Sequence, residues 1–209
     1  MKLYDYELSG NCYKIRFLLH SLGVPYDKVA INFYPGKEHK AQWFLEQVNP
    51  AGQLPVIDDN GLILRDAQAI LVYLASRYDS ANIWYPNDPA VRGQIQLWLA
   101  VAEDITRTAS AARLHDAMGY KVDVGAARRG AHAVFRLLDD HLAERHALGS
   151  PWLVADHITI ADLACFPYVA LAPEGGVTLD AYPAIRRWLW EFRHQPQFMG
   201  MSGILSPRV

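Results

Sequence analysis

Apolar and polar positions change period in an ordered way along the first third of the chain. Residues 2–6 form a short β-type run, followed by the polar turn Leu8-Ser9-Gly10-Asn11. Ile15, Leu18, Leu19 and Leu22 then recur at i, i+3, i+4 and i+7, the stripe of a half-buried helix. Gly23 stands where a C-terminal cap belongs, and Pro25 enforces the stop. Tyr26 to Ile31 reads as a second strand. Strand, helix and strand with a crossover of this length predict a parallel, right-handed βαβ unit. A second helix is predicted over 37–47, with Ala41, Phe44, Leu45 and Val48 on one face. The stretch Asn49-Pro50-Ala51-Gly52-Gln53-Leu54-Pro55-Val56-Ile57 reads as a turn feeding a strand. Asp58-Asp59-Asn60-Gly61 then gives an Asn-Gly hairpin signal before Leu62-Ile63-Leu64. Asp66 is placed to cap a third helix ending near Tyr78.

The order βαβ-α-ββα is that of a thioredoxin-like domain, assigned to residues 1–78. Polar turn residues interrupt the pattern between Tyr78 and Asp88, and residues 79–88 read as a linker. Asp88-Pro89 reads as N-cap and first position of a long helix. No strand pattern follows. Helices are predicted over 89–116, 124–146, 160–171 and 182–194, making 89–209 an all-α domain. The expected fold class is α/β plus all-α, a thioredoxin-like N-terminal domain followed by an all-helical C-terminal domain.

Composition narrows the function without choosing one. Of 209 residues, 51% are hydrophobic and 20% charged, which suits a packed globular protein and not a disordered one. The net charge of −2 comes from interleaved signs with no basic stripe, so nucleic-acid and membrane-surface roles are not expected. Asp5 breaks a signal-peptide reading, and the apolar runs are far short of a membrane span. Only two cysteines occur, Cys12 and Cys165, which argues against a disulfide scaffold and for a reducing, cytoplasmic setting. His141 and His146 are five apart, off a common helix face, so no metal is expected.

Three short motifs carry chemistry. Ser9-Gly10-Asn11-Cys12 lies at a helix start, where unpaired N–H groups and a partial positive charge favour an anion. Ser9 and Cys12 are spaced like the paired cysteines of redox thioredoxin domains. A hydroxyl cannot form the disulfide, but it can donate to a thiolate brought by a ligand. The bland alternative is that Ser9 or Asn11 only caps the helix and Cys12 packs inside. Gln53-Leu54-Pro55 is a turn device or, if the Leu54-Pro55 bond is cis, a backbone edge for an extended peptide. Asp66-Ala67 caps the third helix, or offers a carboxylate to a ligand ammonium and an N–H to a ligand carboxylate.

Together with Thr159-Ile160-Ala161-Asp162, which reads as a capping box with Ile158 and Leu163 as its hydrophobic staple, these motifs resemble the cytosolic glutathione transferase family. The likeness is strongest to bacterial members that begin with a Ser-Gly-Asn-x-Tyr-Lys turn, and it covers essentially the whole chain, including the late helix at Tyr182-Pro183-Ala184-Ile185-Arg186-Arg187-Trp188. The resemblance implies that Ser9 stabilises the glutathione thiolate, with Asn11 or the N–H of Cys12 as auxiliary donors. It implies that Leu54, ahead of Pro55, pairs by its backbone with the cysteinyl part. Gln53 and Lys40 would reach the glycine carboxylate, and Asp66 with the Ala67 N–H would hold the γ-glutamyl end. Cys12 is a further candidate, as a thiol of lowered pKa able to form a mixed disulfide. Arg113, His115 and Tyr120 are candidate linings of the electrophile pocket, weighed against ordinary surface or packing roles. The implied activity is transfer of glutathione to a small hydrophobic electrophile, a detoxification chemistry. The alternatives are glutathione-dependent disulfide reduction or isomerisation, and a binding protein without catalysis. A homodimer is implied by the resemblance alone. One departure stands out: the family usually has Glu-Ser or Asp-Ser where this chain has Asp66-Ala67. The missing hydroxyl costs roughly 1.5–3 kcal/mol at most, about a tenfold or somewhat larger loss of affinity.

Overall fold

Residues 1–206 are described by a computed structural model; the last three residues of the expected 89–209 domain lie outside it. The chain divides into two units, Met1–Ala81 and one beginning at Asn82. In the first, the strands are β1 (Lys2–Asp5), β2 (Asp27–Ala30), β3 (Val56–Asp59) and β4 (Leu62–Arg65), and the helices are α1 (Gly10–Ser21), α2 (Gln42–Gln47) and α3 (Ala67–Tyr78). The sheet order is β2-β1-β3-β4. β1 runs parallel to β2, as the βαβ pattern predicts, and antiparallel to β3, which pairs antiparallel with β4. This is a thioredoxin-like mixed sheet.

Local chemistry explains the boundaries. Gly23 takes φ +64° just beyond α1, and the N–H groups of Gly23 and Val24 return to the carbonyls of His20 and Leu19. Asn60 and Gly61 both have positive φ in the β3–β4 hairpin, the requirement that selects Asn-Gly there. Leu3, Ile15, Leu18, Leu19, Ile57, Ile70, Leu71 and Leu74 are fully buried. Ile31, Phe44, Val48 and Val56 form a further buried cluster, with Tyr4, Val29 and Leu54 packed against it.

The predicted helix over 37–47 is a 3-10 turn (Glu38–Lys40) followed by the short α2, because Ala41 is extended with ψ 148°. The preceding loop is drawn back on itself, with Glu38 accepting the Asn32 N–H at 2.8 Å and Asn32 accepting that of Gly36 at 3.0 Å.

The second unit contains α4 (Pro89–Ile105), α5 (Ala111–Met118), α6 (Val124–Ala147), α7 (Ile160–Ala170) and α8 (Pro183–Arg193). Asp88 caps α4, with Pro89 at its first turn. A π-helical segment, Thr106–Ser110, joins α4 to α5 where the sequence predicts one regular helix. α7 is buried along Ile160–Val169 and packs against α4. Its start is the predicted capping box. Asp162 accepts from the N–H of Thr159 and also from the Leu153 N–H and Trp188 Nε1, at 3.0–3.1 Å. No helix among the described residues is long and apolar enough to cross a membrane.

Candidate functional site

The strand register brings the three motifs to one end of the sheet. Tyr4 pairs with Val56, and Val56 with Arg65. The chain leaves β1 beyond Tyr4, enters β3 just before Val56 and leaves β4 at Arg65. The β1–α1 turn, Leu54-Pro55 and Asp66-Ala67 therefore share that end.

At the first corner Ser9 caps α1 with extended backbone, and its Oγ accepts the N–H of Cys12 at 3.2 Å. A hydroxyl that accepts a backbone N–H keeps its own proton for a second partner, and the Cys12 sulfur stands within its reach. Ser9 is half-buried, and so is Asn11 in the first helical turn. The N–H of Cys12, expected as an auxiliary donor, is thus directed to Ser9. Cys12 itself corrects the expectation of a reactive thiol. Its side chain is fully buried, its Sγ accepts the Tyr6 N–H at 3.4 Å, and burial pushes the thiol up to about 12. A thiol so buried is held in its neutral form at neutral pH.

At the second corner the Leu54-Pro55 bond is cis, the condition the sequence left open. Leu54 lies half-buried just outside the β3 ladder, and Pro55 is buried. The preceding loop is organised by Asn49, which the motif reading passed over. Fully buried, Asn49 donates to the Gln53 carbonyl at 3.0 Å and accepts from the Ala51 N–H at 3.0 Å and Arg65 Nη1 at 3.2 Å. Its place at the head of the Asn49-Pro50-Ala51-Gly52 turn was the available signal. Gly52 has φ +59°, and a Cβ there would stand 2.7 Å from the His39 carbonyl oxygen, so glycine is required. Gln53 is exposed; Lys40, also exposed, donates from Nζ to the Ala51 carbonyl at 3.2 Å. The two candidates for a ligand carboxylate therefore flank one loop.

At the third corner Asp66 caps α3, Oδ1 accepting the Ala69 N–H at 2.9 Å. It is exposed and holds φ +74°, ψ 123°, a conformation that costs a non-glycine residue about 1–3 kcal/mol. Strain of this kind concentrates at ligand clamps, and it aims a carboxylate outward at a helix N-terminus. Ala67 is buried.

The candidates in the second unit are differently placed. Arg113 is buried, with Nε 2.5 Å from Glu174 Oε2. The approach is tight, because a Cβ on Gly175 would stand 2.5 Å from the Arg113 backbone nitrogen. His115 is half-buried, its Nδ1 2.8 Å from Asp116 Oδ1. Tyr120 is half-buried beyond the left-handed cap Gly119. His141 Nε2 lies 2.7 Å from the Leu153 carbonyl oxygen. Among the described residues no three histidine, cysteine, aspartate or glutamate side chains gather as a metal-binding group. An aromatic row also escaped the sequence reading: Tyr6 stacks on Phe33, and Phe33 on His39 at 4.0 Å between ring centres.

Comparison with known proteins gives the family and the fold. Residues 3–82 match the family model "Glutathione S-transferase, N-terminal domain", and residues 104–196 match "Glutathione S-transferase, C-terminal domain". The chain is 27% identical over 199 residues to the glutathione S-transferase GstB of Escherichia coli, covering 90% of both proteins. It is 31% identical over 198 residues to the maleylacetoacetate isomerase of Pseudomonas aeruginosa, covering 90% of this chain and 88% of that protein. Among solved structures, a glutathione S-transferase from Pseudomonas fluorescens superposes with TM-score 0.85 at 28% identity, covering 96% and 98% of the two chains. A glutathione transferase homologue from Lodderomyces elongisporus, solved with two glutathiones per subunit, superposes with TM-score 0.81 at 25% identity and 94% coverage of each chain.

Proposed function

The chain belongs to the glutathione transferase family, and we propose that it is a serine-type enzyme that activates the glutathione thiol for attack on a small hydrophobic electrophile. The observation that carries this reading is the Ser9 hydroxyl, capping α1 and accepting the Cys12 N–H. Its own proton faces the Cys12 sulfur, and a sulfur brought to the helix start would take that proton over. That donor and the helix's partial positive charge stabilise the thiolate over the thiol.

Glutathione lies with its cysteinyl part along the Leu54 backbone, its glycine carboxylate toward Lys40 and Gln53, and its γ-glutamyl end at Asp66 and the Ala67 N–H. On binding, the thiol proton passes to solvent. The sulfur then forms a bond to the electrophilic carbon, and the leaving group departs with its electron pair. Holding the two reactants together supplies much of the rate. Asn11 assists in the first turn of α1, and Cys12 serves as a brace for the Tyr6 peptide. The enzyme acts in the cytoplasm as a homodimer, a reading that rests on family membership.

A second reading, isomerisation or disulfide reduction at the same site, draws support from the maleylacetoacetate isomerase relative and from the homologue with two bound glutathiones. Retention on immobilised glutathione, conjugation to a chlorodinitroarene, reduction of a small disulfide and isomerisation of a cis-enone acid separate these. Retention with conjugation dominant is the expected result. Retention without turnover of any substrate would leave a binding protein, and neither retention nor turnover would overturn the reading altogether.

A further inference from the structure

We propose that Arg16, two turns into α1, is a positioning residue for the Ser9 hydroxyl, holding the backbone of the β1–α1 turn from within a buried ion pair. The inference rests on the reading of Ser9 as the thiolate's donor.

Residues 12 and 16 lie on one face of α1, and both reach back to the turn that precedes it. Cys12 Sγ accepts the Tyr6 N–H at 3.4 Å. Arg16 Nη2 donates to the Glu7 carbonyl at 3.0 Å, and Nη1 makes a longer contact with the Tyr6 carbonyl at 3.4 Å. That Tyr6 carbonyl also accepts the N–H of Ser9 at 3.0 Å. The guanidinium and the Ser9 amide therefore share one acceptor. Arg16 is itself anchored by Nη1 to the Asp5 carboxylate at the end of β1. Arg16 is 4% exposed and Asp5 2%, so the clamp is closed to water.

A buried ion pair alone is a weak stabilising device. This one spends its remaining donors on the irregular backbone that delivers Ser9, and only a planar fork serves a carboxylate and two carbonyls at once. Outside it, Glu7 and Lys28 pair at 2.8 Å on the surface, exposed and screened. Cys12, Tyr13 and Tyr26 are the other titratable side chains that feel the guanidinium, and burial raises the pKa of all three. The charge beside the turn is therefore balanced by Asp5, and the contribution of Arg16 is geometric.

The test uses the full chain carrying Arg16→Lys, which keeps the charge and loses the fork. Thiolate absorbance of bound glutathione is titrated against pH, and kcat, KM for glutathione and the melting temperature are measured on the same sample. The expected result is a folded protein with KM within about threefold of wild type, because Lys40, Gln53, Leu54 and Asp66 are untouched. Its kcat falls on the order of tenfold to a hundredfold, and the bound thiol titrates at higher pH. In a Ser9→Ala background the same substitution changes neither quantity further. Should Arg16→Lys fail to fold, the uncharged pair Asp5→Asn with Arg16→Gln carries the same readouts. A lowered melting temperature with unchanged kcat and thiol titration would overturn the proposal and leave Arg16 a folding element. If Ser9→Ala itself leaves the thiol titration unmoved, the Ser9 reading fails first and this one with it. If Ser9→Ala moves it and Arg16→Lys does not, only the Arg16 proposal falls.

Discussion

Ser9 and Cys12 sit one helical turn apart, and burial gives them opposite chemistry. Ser9 keeps a half-exposed hydroxyl at the helix start, whereas Cys12 is sealed inside with its sulfur accepting a backbone N–H. An unfolded thiol ionises near pH 8.5, while the native one holds its proton to about pH 12. Between those values the native state binds the extra proton, so stability falls as pH rises. The slope for one proton is roughly 1.4 kcal/mol per pH unit. Urea midpoints from pH 8 to 10 should therefore drop less steeply for Cys12→Ala, and the native thiol should resist aromatic disulfide reagents; equal slopes and rapid labelling would contradict its burial. At the opposite corner Ala67 replaces the serine usual in the family. Restoring it as Ala67→Ser should tighten glutathione binding by about tenfold, read by calorimetry. An unchanged affinity would mean that the γ-glutamyl carboxylate lies elsewhere.

The capping box of α7 was legible in the sequence because it is local: Thr159 and Asp162 are three apart and bond each other's backbone. What Asp162 does beyond the box was not legible, since its other donors, Leu153 and Trp188, are 9 and 26 residues away. Asp162→Ala removes the cap's partner and orphans a buried amide and an indole N–H. The expected loss is about 3 kcal/mol or more, seen as a lower urea midpoint, and a loss below about 1 kcal/mol would contradict the network. Two helices were misjudged for physical reasons of the same kind. Alanine is the best helix former, so nothing at Ala41 announces the extended residue that breaks 37–47. The π-helical segment keeps apolar spacing nearly regular. Its marks are the Thr106 and Thr108 hydroxyls turned back to the carbonyls of Ala102 and Asp104, and Gly130, which gives the Thr108 methyl group room.

The fold class and the three motifs were readable from period, caps and turns. That the motifs share one end of the sheet follows only from the register Tyr4–Val56–Arg65, which single-chain patterning does not determine. The electrophile side was the least legible part. Arg113 looked available for a ligand by residue type, yet its partner Glu174 lies 61 positions away, and the pair is formed inside the second unit. Thiol activation in this protein turns on Ser9, and its most direct measurement is the titration of the bound glutathione thiol in Ser9→Ala, with Ser9→Thr as the variant that keeps both cap and hydroxyl. Ser9→Ala is expected to move the thiol titration up toward that of free glutathione and to lower kcat on the order of a hundredfold or more, while Ser9→Thr recovers much of both. A folded Ser9→Ala protein with wild-type thiol titration and turnover would reduce Ser9 to a helix cap and overturn its role in thiol activation.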